Sequence, residues 1–218
     1  EQIMPKKIYA SVGYTMFDKI RSDVNYSINA AVQTNSGPPA RLNRTCVVTD
    51  VGSDPLPRGC DFYNSKLSIA QKKGMFASDY DNDTTDGSLD FEVFLVSGDA
   101  VVEGEATWDN RSTLQAWATG GGDYFTRDRG HKDLDPGGGT SYADGFFLDM
   151  RVGRLMNLSL REGQRRADFI CRFRYEGSTY GNKMVGYTDN ESISTKHPYL
   201  TIYYRKSVMR SRRSRLAR

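Results

Sequence analysis

Short runs in which apolar and polar residues alternate, separated by turns rich in glycine, proline and aspartate, set the strongest limit on how this 218-residue chain can fold. Alternation with a period of two puts apolar side chains on one face of a β-strand. The runs with this pattern are residues 8–12, 46–49, 67–69, 91–95, 101–108, 146–152, 167–175 and 199–204. Only residues 152–158 have the pattern of a short helix. The sequence therefore predicts an all-β fold.

The turns between these runs predict how the strands are arranged. Glycine-containing turn segments occur at residues 35–39, 97–99, 120–123 and 135–139, where they favour reversals of the chain. Many short strands with long Gly- and Asp-rich loops are typical of an antiparallel β-sandwich. We expect a strand-like N-terminal extension at residues 1–17, a sandwich domain at residues 18–204 and a basic tail at residues 205–218.

Asparagines in Asn-x-Ser/Thr triplets are unusually frequent. Six of the ten asparagines lie in such triplets, namely Asn25, Asn43, Asn82, Asn110, Asn157 and Asn190. In a secretory pathway each triplet accepts an N-linked glycan and marks exposed backbone. The alternative, that the triplets are ordinary polar turns, accounts for only some of them. The pattern favours a secreted or cell-surface glycoprotein with covalent N-glycans.

Positive charge is concentrated at the C-terminus. Residues 205–218 carry a charge of +7, and subtracting it from the total of +3 leaves residues 1–204 at −4. A basic tail on an acidic body favours contact with other copies of the chain, as in a homo-oligomer, or with an acidic polysaccharide. Nucleic acid is a poorer partner because no aromatic residues interrupt the basic run. The segment Arg210-Ser211-Arg212-Arg213 is also similar to a furin-type processing site.

The apolar runs are too short for a membrane span. No stretch approaches the ~20 apolar residues that a membrane-spanning helix needs. The chain begins at Glu1 without an initiator Met, which fits removal of a signal peptide and equally fits a trimmed chain.

The three cysteines predict one disulfide and one buried thiol. Cys46 and Cys60 flank a turn-rich segment between two strand-like runs, which is the spacing of a hairpin. In a secreted chain this spacing favours a disulfide between them. Cys171 shares a strand face with Phe169 and Phe173, which favours an inert buried thiol over an intermolecular bridge.

Residues 99–123 resemble a known family. Asp99, Glu103-Gly104 and Thr107-Trp108 precede Trp117 and Gly120-Gly121-Gly122-Asp123. This order is similar to the D-x-x-x-E-G-x-x-T-W and W-x-x-G-G-D pattern of DNRLRE-type domains, which are disaggregatase-related carbohydrate-binding-module sandwiches. Matches at residues 18–27, 44–51, 64–69 and 198–204 extend the resemblance over residues 18–204. The resemblance implies a jelly-roll-like antiparallel sandwich outside the cell, attached to or binding polysaccharide, and it does not imply catalysis.

Aromatic residues near the Gly-rich loop are candidates for stacking on a sugar ring. Trp108 lies inside the Thr-Trp pattern and is expected in the core. Trp117 borders the loop and is the better candidate, and Tyr124 and Tyr142 could complete the surface.

Acidic side chains recur at close intervals between residues 79 and 86. Asp79, Asp81, Asp83 and Asp86 offer oxygen ligands at the spacing of a calcium loop, but Thr84 stands where an EF-hand needs glycine. One interpretation is a structural Ca²⁺ site, and the other is a solvated acidic turn. No cofactor is required.

Signs of catalysis are few. The chain has two histidines, His131 and His197, and no G-x-S-x-G, H-E-x-x-H or phosphate-loop motif. A carboxylate pair for glycoside hydrolysis has no defined spacing in the sequence. We therefore expect that the protein is not an enzyme.

Two functions remain open. In the first, the chain is a structural glycoprotein of an extracellular fibril or coat, and its copies join through the segment Lys6 to Tyr14 and through the basic tail. A strand donated to a neighbour's open sheet edge uses main-chain hydrogen bonds and alternate side chains. The residues expected to take part are Ile8, Ala10, Val12, Arg210, Arg212, Arg213 and Arg215. In the second, the chain is a polysaccharide-binding module or adhesin that uses Trp117. The spread of triplets along the chain favours the first, because it leaves little bare surface for a polymer groove.

Overall fold

The described part of the chain consists almost entirely of strands and turns. The computed structural model describes residues 6–10, 13–29, 31–35, 42–49, 59–72, 77–78, 90–133, 145–164, 166–174, 176 and 182–206. The strands are β1 (Lys6–Ala10), β2 (Gly13–Asp18), β3 (Ala31–Asn35), β4 (Asn43–Val48), β5 (Cys60–Ala70), β6 (Ala77–Ser78), β7 (Asp90–Leu95), β8 (Asn110–Ser112), β9 (Gln115–Ala116), β10 (Gly130–Asp133), β11 (Phe147–Arg151), β12 (Phe169–Phe173), β13 (Asn182–Tyr187) and β14 (Tyr199–Lys206). Helix α1 spans Gly153–Arg161, and a short 3-10 helix spans Ser194–Lys196.

Two main antiparallel sheets make up most of the described part of the chain. The smaller sheet has the strand order β1-β14-β5-β11. The larger sheet has the order β10-β7-β12-β4-β3-β13-β6, and β2 also pairs with β4. Strands β8 and β9 form a separate small pair. The predicted all-β antiparallel class is confirmed, whereas the strand connections of a jelly roll are not confirmed.

Side chains from both sheets share one apolar core. Leu67 of β5 and Leu200 of β14 lie in the same buried cluster as Phe91 of β7 and Phe169 of β12. Burial of one such side chain contributes about 1.5–3 kcal/mol. The two sheets therefore stabilise each other face to face, as in a β-sandwich.

A second buried cluster lies on the opposite face of the larger sheet. Along β12, Phe169 and Cys171 belong to the first cluster and Ile170 to the second, because successive strand side chains point to opposite faces. Trp108 and Trp117 belong to the second cluster and bury Ile170 from outside. Residues 97–125, which follow β7, thus form an outer layer over the larger sheet.

Helix α1 covers the end of the smaller sheet. Leu155, Met156 and Leu158 form its buried face. The helix ends before Gly163, whose φ of 74° is the left-handed conformation that favours glycine after a helix. The short helix predicted at residues 152–158 is confirmed. Within the described residues, no helix is both long and apolar enough to cross a membrane.

Two predictions about element boundaries are wrong. Residues 6–10 pair with β14 and residues 13–18 pair with β4, so they belong to the sandwich and do not form a separate extension. Residues 101–108 form turns instead of a strand, because the backbone N–H groups of Glu105 and Ala106 both donate to the carbonyl of Val102. Their alternating pattern arises from packing on the sheet: Val101 and Ala106 are buried in the second cluster.

Candidate functional site

The N-terminal and C-terminal strands meet at one edge of the smaller sheet. Strand β1 is the edge strand, and it runs antiparallel to β14 from Lys6 opposite Tyr203 to Ala10 opposite Tyr199. Strand β14 ends at Lys206. The N-terminal segment predicted to drive assembly therefore lies beside the strand that precedes the basic tail.

Some of the predicted assembly residues lie on this edge. The register places Ile8 opposite Thr201 and Ala10 opposite Tyr199. Val12, Arg210, Arg212, Arg213 and Arg215 lie outside the described residues. The edge itself carries Lys6 and Lys7 on β1 and exposed Arg205 and Lys206 on β14. Charged edge strands discourage indiscriminate pairing with other sheets.

The Asn25 side chain forms structural hydrogen bonds. Its Nδ2 donates to the carbonyls of Glu103 and Ala106, each at 2.7 Å, and its Oδ1 accepts from the N–H and the hydroxyl of Ser27. An N-glycan is attached at Nδ2 and leaves that nitrogen a single hydrogen. A glycan on Asn25 would therefore remove at least one of the two bonds that Nδ2 makes.

Both the nitrogen and the oxygen of the Asn157 side chain are hydrogen-bonded to the protein. Its Nδ2 donates to the carbonyl of Phe62 and its Oδ1 accepts from the N–H of Phe62, both at 2.8 Å. These bonds join α1 to β5. A glycan there would have to fit into the junction between helix and sheet.

The remaining triplets have fewer constraints. Asn110 is half-buried in β8 and makes no side-chain hydrogen bond within the described residues. Asn43 Nδ2 lies 3.4 Å from the sulfur of Met16, which is a weak acceptor. Asn190 is exposed and donates to the carbonyl of Ser27. Asn82 lies outside the described residues. The geometry obstructs a glycan least at Asn110 and Asn43, followed by Asn190.

Trp117 lies inside the outer layer and does not form an exposed platform. Its side chain is 6% exposed, and its Nε1 donates to the carbonyl of Thr107 at 3.0 Å. The ring packs against Phe17 with centroids 5.6 Å apart, and the Arg111 guanidinium lies 4.6 Å from the ring centroid. The prediction that Trp117 stacks on a sugar is therefore wrong for the folded chain. Trp108 is buried, as expected.

Tyr124 is half-buried among charged side chains. Its ring lies 4.7 Å from that of Phe94, and the guanidinium carbons of Arg44 and Arg172 each lie 5.7 Å from its centroid. Tyr142 lies outside the described residues. Tyr124 thus belongs to a cation–π cluster and packs against the second buried cluster, which contains Trp117.

A ladder of charged side chains crosses the outer face of β7, β12 and β4, and sequence reasoning missed it. Glu92 is buried and accepts from Arg129 and Arg172. Glu176 accepts from Arg44 at 2.7 Å and from Arg172 at 3.3 Å. We call this set of three arginines and two carboxylates the Glu92–Glu176 ladder. The only sequence signal was a polar residue at the outward positions of otherwise apolar strands.

Cys46 and Cys60 do not form the predicted disulfide. The expected hairpin is absent because β4, which holds Cys46, belongs to the larger sheet, whereas β5, which begins at Cys60, belongs to the smaller sheet. Cys46 is fully buried, and burial raises the pKa of its thiol well above the usual range. Cys171 lies in the core as predicted, and burial raises its pKa to about 12.

Two further carboxyl groups, the half-buried Glu103 and the buried Asp168, lie against the larger sheet. Burial, and next the nearby charge of Asp189, raise the pKa of Glu103 to about 7, and its Oε1 has no hydrogen-bond partner within the described residues. Burial also raises the pKa of Asp168 to about 6. Asp168 accepts from the backbone N–H groups of Thr49 and Val101, both at 3.3 Å, and so ties the outer layer to β4.

The predicted Ca²⁺ site lies outside the described residues. Asp79, Asp81, Asp83 and Asp86 all lie outside the described residues. In the described ranges, no three or more His, Cys, Asp or Glu side chains are grouped so that they could hold a metal ion.

No protein-family model matches this sequence, and no curated protein matches it. The resemblance of residues 99–123 to DNRLRE-type domains therefore stays a hypothesis.

Proposed function

We propose that this chain is a non-enzymatic, N-glycosylated structural protein of the cell surface or extracellular space, and that its copies assemble by exchanging strand β1. The observation that carries the proposal is the position of β1. It is the edge strand of the smaller sheet, it pairs with the last strand of the fold, and only residues 11 and 12 separate it from β2 in the larger sheet.

The short connection makes exchange with a neighbour a competitor of the closed form, in which β1 pairs with its own β14. Packed sheets lie about 10 Å apart, and three Cα steps from Ala10 to Gly13 reach about 10–11 Å. Short hinge segments favour domain swapping, since a connection with little slack is strained when the strand folds back and the strand makes the same ladder on a neighbour. If each copy passes β1 to the next, the contact is head-to-tail and builds a fibril.

Charge on the tail supports the same arrangement. Residues 205–218 carry +7, and β14 brings the start of this tail to the exchanged edge. The remaining residues of a neighbouring copy carry a net −4. Attraction between exposed charges is screened by salt. We therefore expect assemblies to loosen when the ionic strength is raised.

Cysteine cross-linking between differently labelled copies tests the exchange. Lys6 and Tyr203 lie opposite each other in the β1–β14 ladder. One preparation carries Lys6→Cys and the other carries Tyr203→Cys, both with Cys60→Ser because Cys60 is partly exposed. After co-refolding and mild oxidation, exchange predicts a disulfide-linked heterodimer, identified by its cross-linked peptide in mass spectrometry.

A control cysteine far from the β1–β14 ladder measures how much cross-linking arises from random collisions. Asp109→Cys replaces Lys6→Cys in a matched preparation, since Asp109 is exposed and lies in the outer layer over the larger sheet. If a chain with both cysteines cross-links only within itself, and the mixed sample gives no more heterodimer than the Asp109→Cys control, strand exchange is rejected. Deletion of residues 207–218 tests the tail separately, and unchanged assembly at low salt would remove it from the proposal.

A further inference from the structure

A cavity of about 470 Å³ opens beside the outer face of the larger sheet. Arg127, Arg129, Arg154 and Arg172 line it together with Thr126 and Asp128. A second cavity of about 530 Å³ adjoins it and shares Asp128 and Arg154. The two cavities together form an extended groove between α1 and the segment that leads into β10.

Positive charge exceeds negative charge around the first cavity. The Glu92–Glu176 ladder has three arginines for two carboxylates. Arg127 pairs with Glu162, and Arg161 pairs with Asp128 at 3.5 Å. Arg154 is exposed and makes no ion pair within the described part of the chain. Asp61 also lines the adjoining cavity, so six arginines face five carboxylates along the groove, which leaves a surplus of one positive charge.

Two of the arginines lie where protein contacts alone do not explain them. Arg154 is in the first turn of α1, where the helix dipole disfavours a cation, and that turn contains no acidic residue to offset it. Arg172 Nε is buried and has no hydrogen-bond acceptor within the described residues. Buried donors are normally satisfied by protein, water or a ligand. Arg154 therefore presents an exposed guanidinium to the cavity, whereas Arg172 Nε lies beneath the cavity surface.

We propose that this groove binds an acidic polysaccharide and that a sugar carboxylate enters the arginine-lined cavity. The planar guanidinium of Arg154 can pair with a carboxylate through two parallel hydrogen bonds. Thr126 and Asp128 add groups that bind sugar hydroxyls, since a carboxylate accepts hydroxyl hydrogens. Asp128 would repel a densely charged ligand, which favours a uronic acid chain over an acidic peptide. This site is independent of strand exchange.

Titration calorimetry with the full-length protein and hexagalacturonate tests the site. Because Arg154→Gln removes one charge-assisted contact, it should raise the dissociation constant about tenfold. Arg154→Lys keeps the charge without the planar fork and should give an intermediate value. Arg21→Gln removes an exposed arginine outside the groove and is the matched control, expected to stay within about twofold because surface charges at a distance are screened. All variants keep the basic tail, so the contribution of the tail to binding cancels when their dissociation constants are compared.

Chemical shifts of the unmodified protein give a second readout that requires no variant. Hexagalacturonate should shift the backbone signals of residues 126–129 and 154, whereas neutral maltohexaose should not. Shifts confined to residues 205–218, an equal loss of binding in Arg21→Gln, or no binding of hexagalacturonate would each overturn the proposal. Equal affinity for hexaglutamate would show that an acidic peptide fits as well, and would overturn the assignment to polysaccharide.

Discussion

Arg111 and Asp123 form a buried ion pair that closes the outer layer, with Arg111 Nη2 3.1 Å from Asp123 Oδ2. Asp123 also accepts from the backbone N–H groups of Ala118 and Thr119, at 2.7 and 2.8 Å. Arg111 Nη1 donates to the carbonyls of Ser97 and Asp99, each at 3.1 Å. Two side chains thus satisfy four backbone groups of a segment that has little regular structure, through charge-assisted hydrogen bonds.

Replacement of Asp123 by asparagine should destabilise the fold. The substitution keeps the size of the side chain but leaves Arg111 without its counter-charge. Removal of one partner of a buried ion pair costs about 3 kcal/mol or more. Urea unfolding followed by tryptophan fluorescence measures the change. Asp109→Asn, at an exposed position, should change the free energy of unfolding by less than about 0.5 kcal/mol. Equal effects of the two variants would show that the ion pair does not hold the layer.

The glycine triplet should tolerate no side chain at its last position. Gly122 has a φ of 100°, and a Cβ there would lie 2.7 Å from Cδ1 of Ile170. Left-handed strain and overpacking together predict that Gly122→Ala lowers the free energy of unfolding by about 2–4 kcal/mol. Gly104→Ala is the control, because its Cβ would have no atom within 4 Å. Thermal unfolding should separate the two variants, and similar melting temperatures would contradict the predicted close packing.

Local patterns in the sequence were sufficient to predict several elements. Residues 91–95 alternate because β7 packs Phe91 and Val93 into the first core while Glu92 faces the other side. The same reasoning identified β11, β12 and β14 and the helix α1. These elements depend on side chains within a few residues of one another, so the sequence contains their signal.

Features that depend on distant contacts were not predictable in the same way. Arg44 pairs with Glu176, which is 132 residues away, and Asn157 bonds Phe62, which is 95 residues away. The burial of Trp117 could not be predicted from its neighbours in the sequence, because Phe17 and Arg111, which pack against its ring, belong to other segments. Cys46 and Cys60 had hairpin spacing, but which sheet each strand joins is decided by partners elsewhere in the chain.

The stability of the protein should fall as the pH rises from about 4.5 towards about 7, because burial raises the pKa of Glu103 from 4.5 to about 7 in the folded chain. Between these values the folded state binds more protons than the unfolded state, so the free energy of unfolding decreases with pH. Asp168 and Asp189 have raised pKa values through burial and contribute with the same sign.

Glu103→Gln isolates the part that Glu103 contributes. Glutamine cannot ionise, so the variant should gain stability relative to the unmodified chain above pH 7 and show a flatter profile below it. Urea unfolding across pH 4 to 8 provides the measurement. Glu105→Gln is the matched control, since the Glu105 carboxylate accepts from Thr113 near the surface. An unchanged slope in Glu103→Gln would assign the pH dependence to other groups.

Glycan occupancy should differ among the Asn-x-Ser/Thr triplets. After expression in a eukaryotic secretory host, glycopeptide mapping of the folded, secreted protein should find Asn110 modified and Asn25 and Asn157 unmodified. The reason is that the amides of Asn25 and Asn157 are bonded to protein groups, whereas that of Asn110 makes no side-chain hydrogen bond within the described residues.

Stability measurements on the unglycosylated protein test the same division without a host cell. Asn157→Ala leaves the N–H and carbonyl of Phe62 without their partner and should cost about 1–3 kcal/mol, whereas Asn110→Gln should change stability by less than about 0.5 kcal/mol. Full occupancy at Asn157 in folded material would mean that the junction of α1 and β5 opens to admit a glycan. Absence of glycan from every triplet, with normal secretion, would instead remove glycosylation from the proposed function while leaving strand exchange to be judged by cross-linking alone.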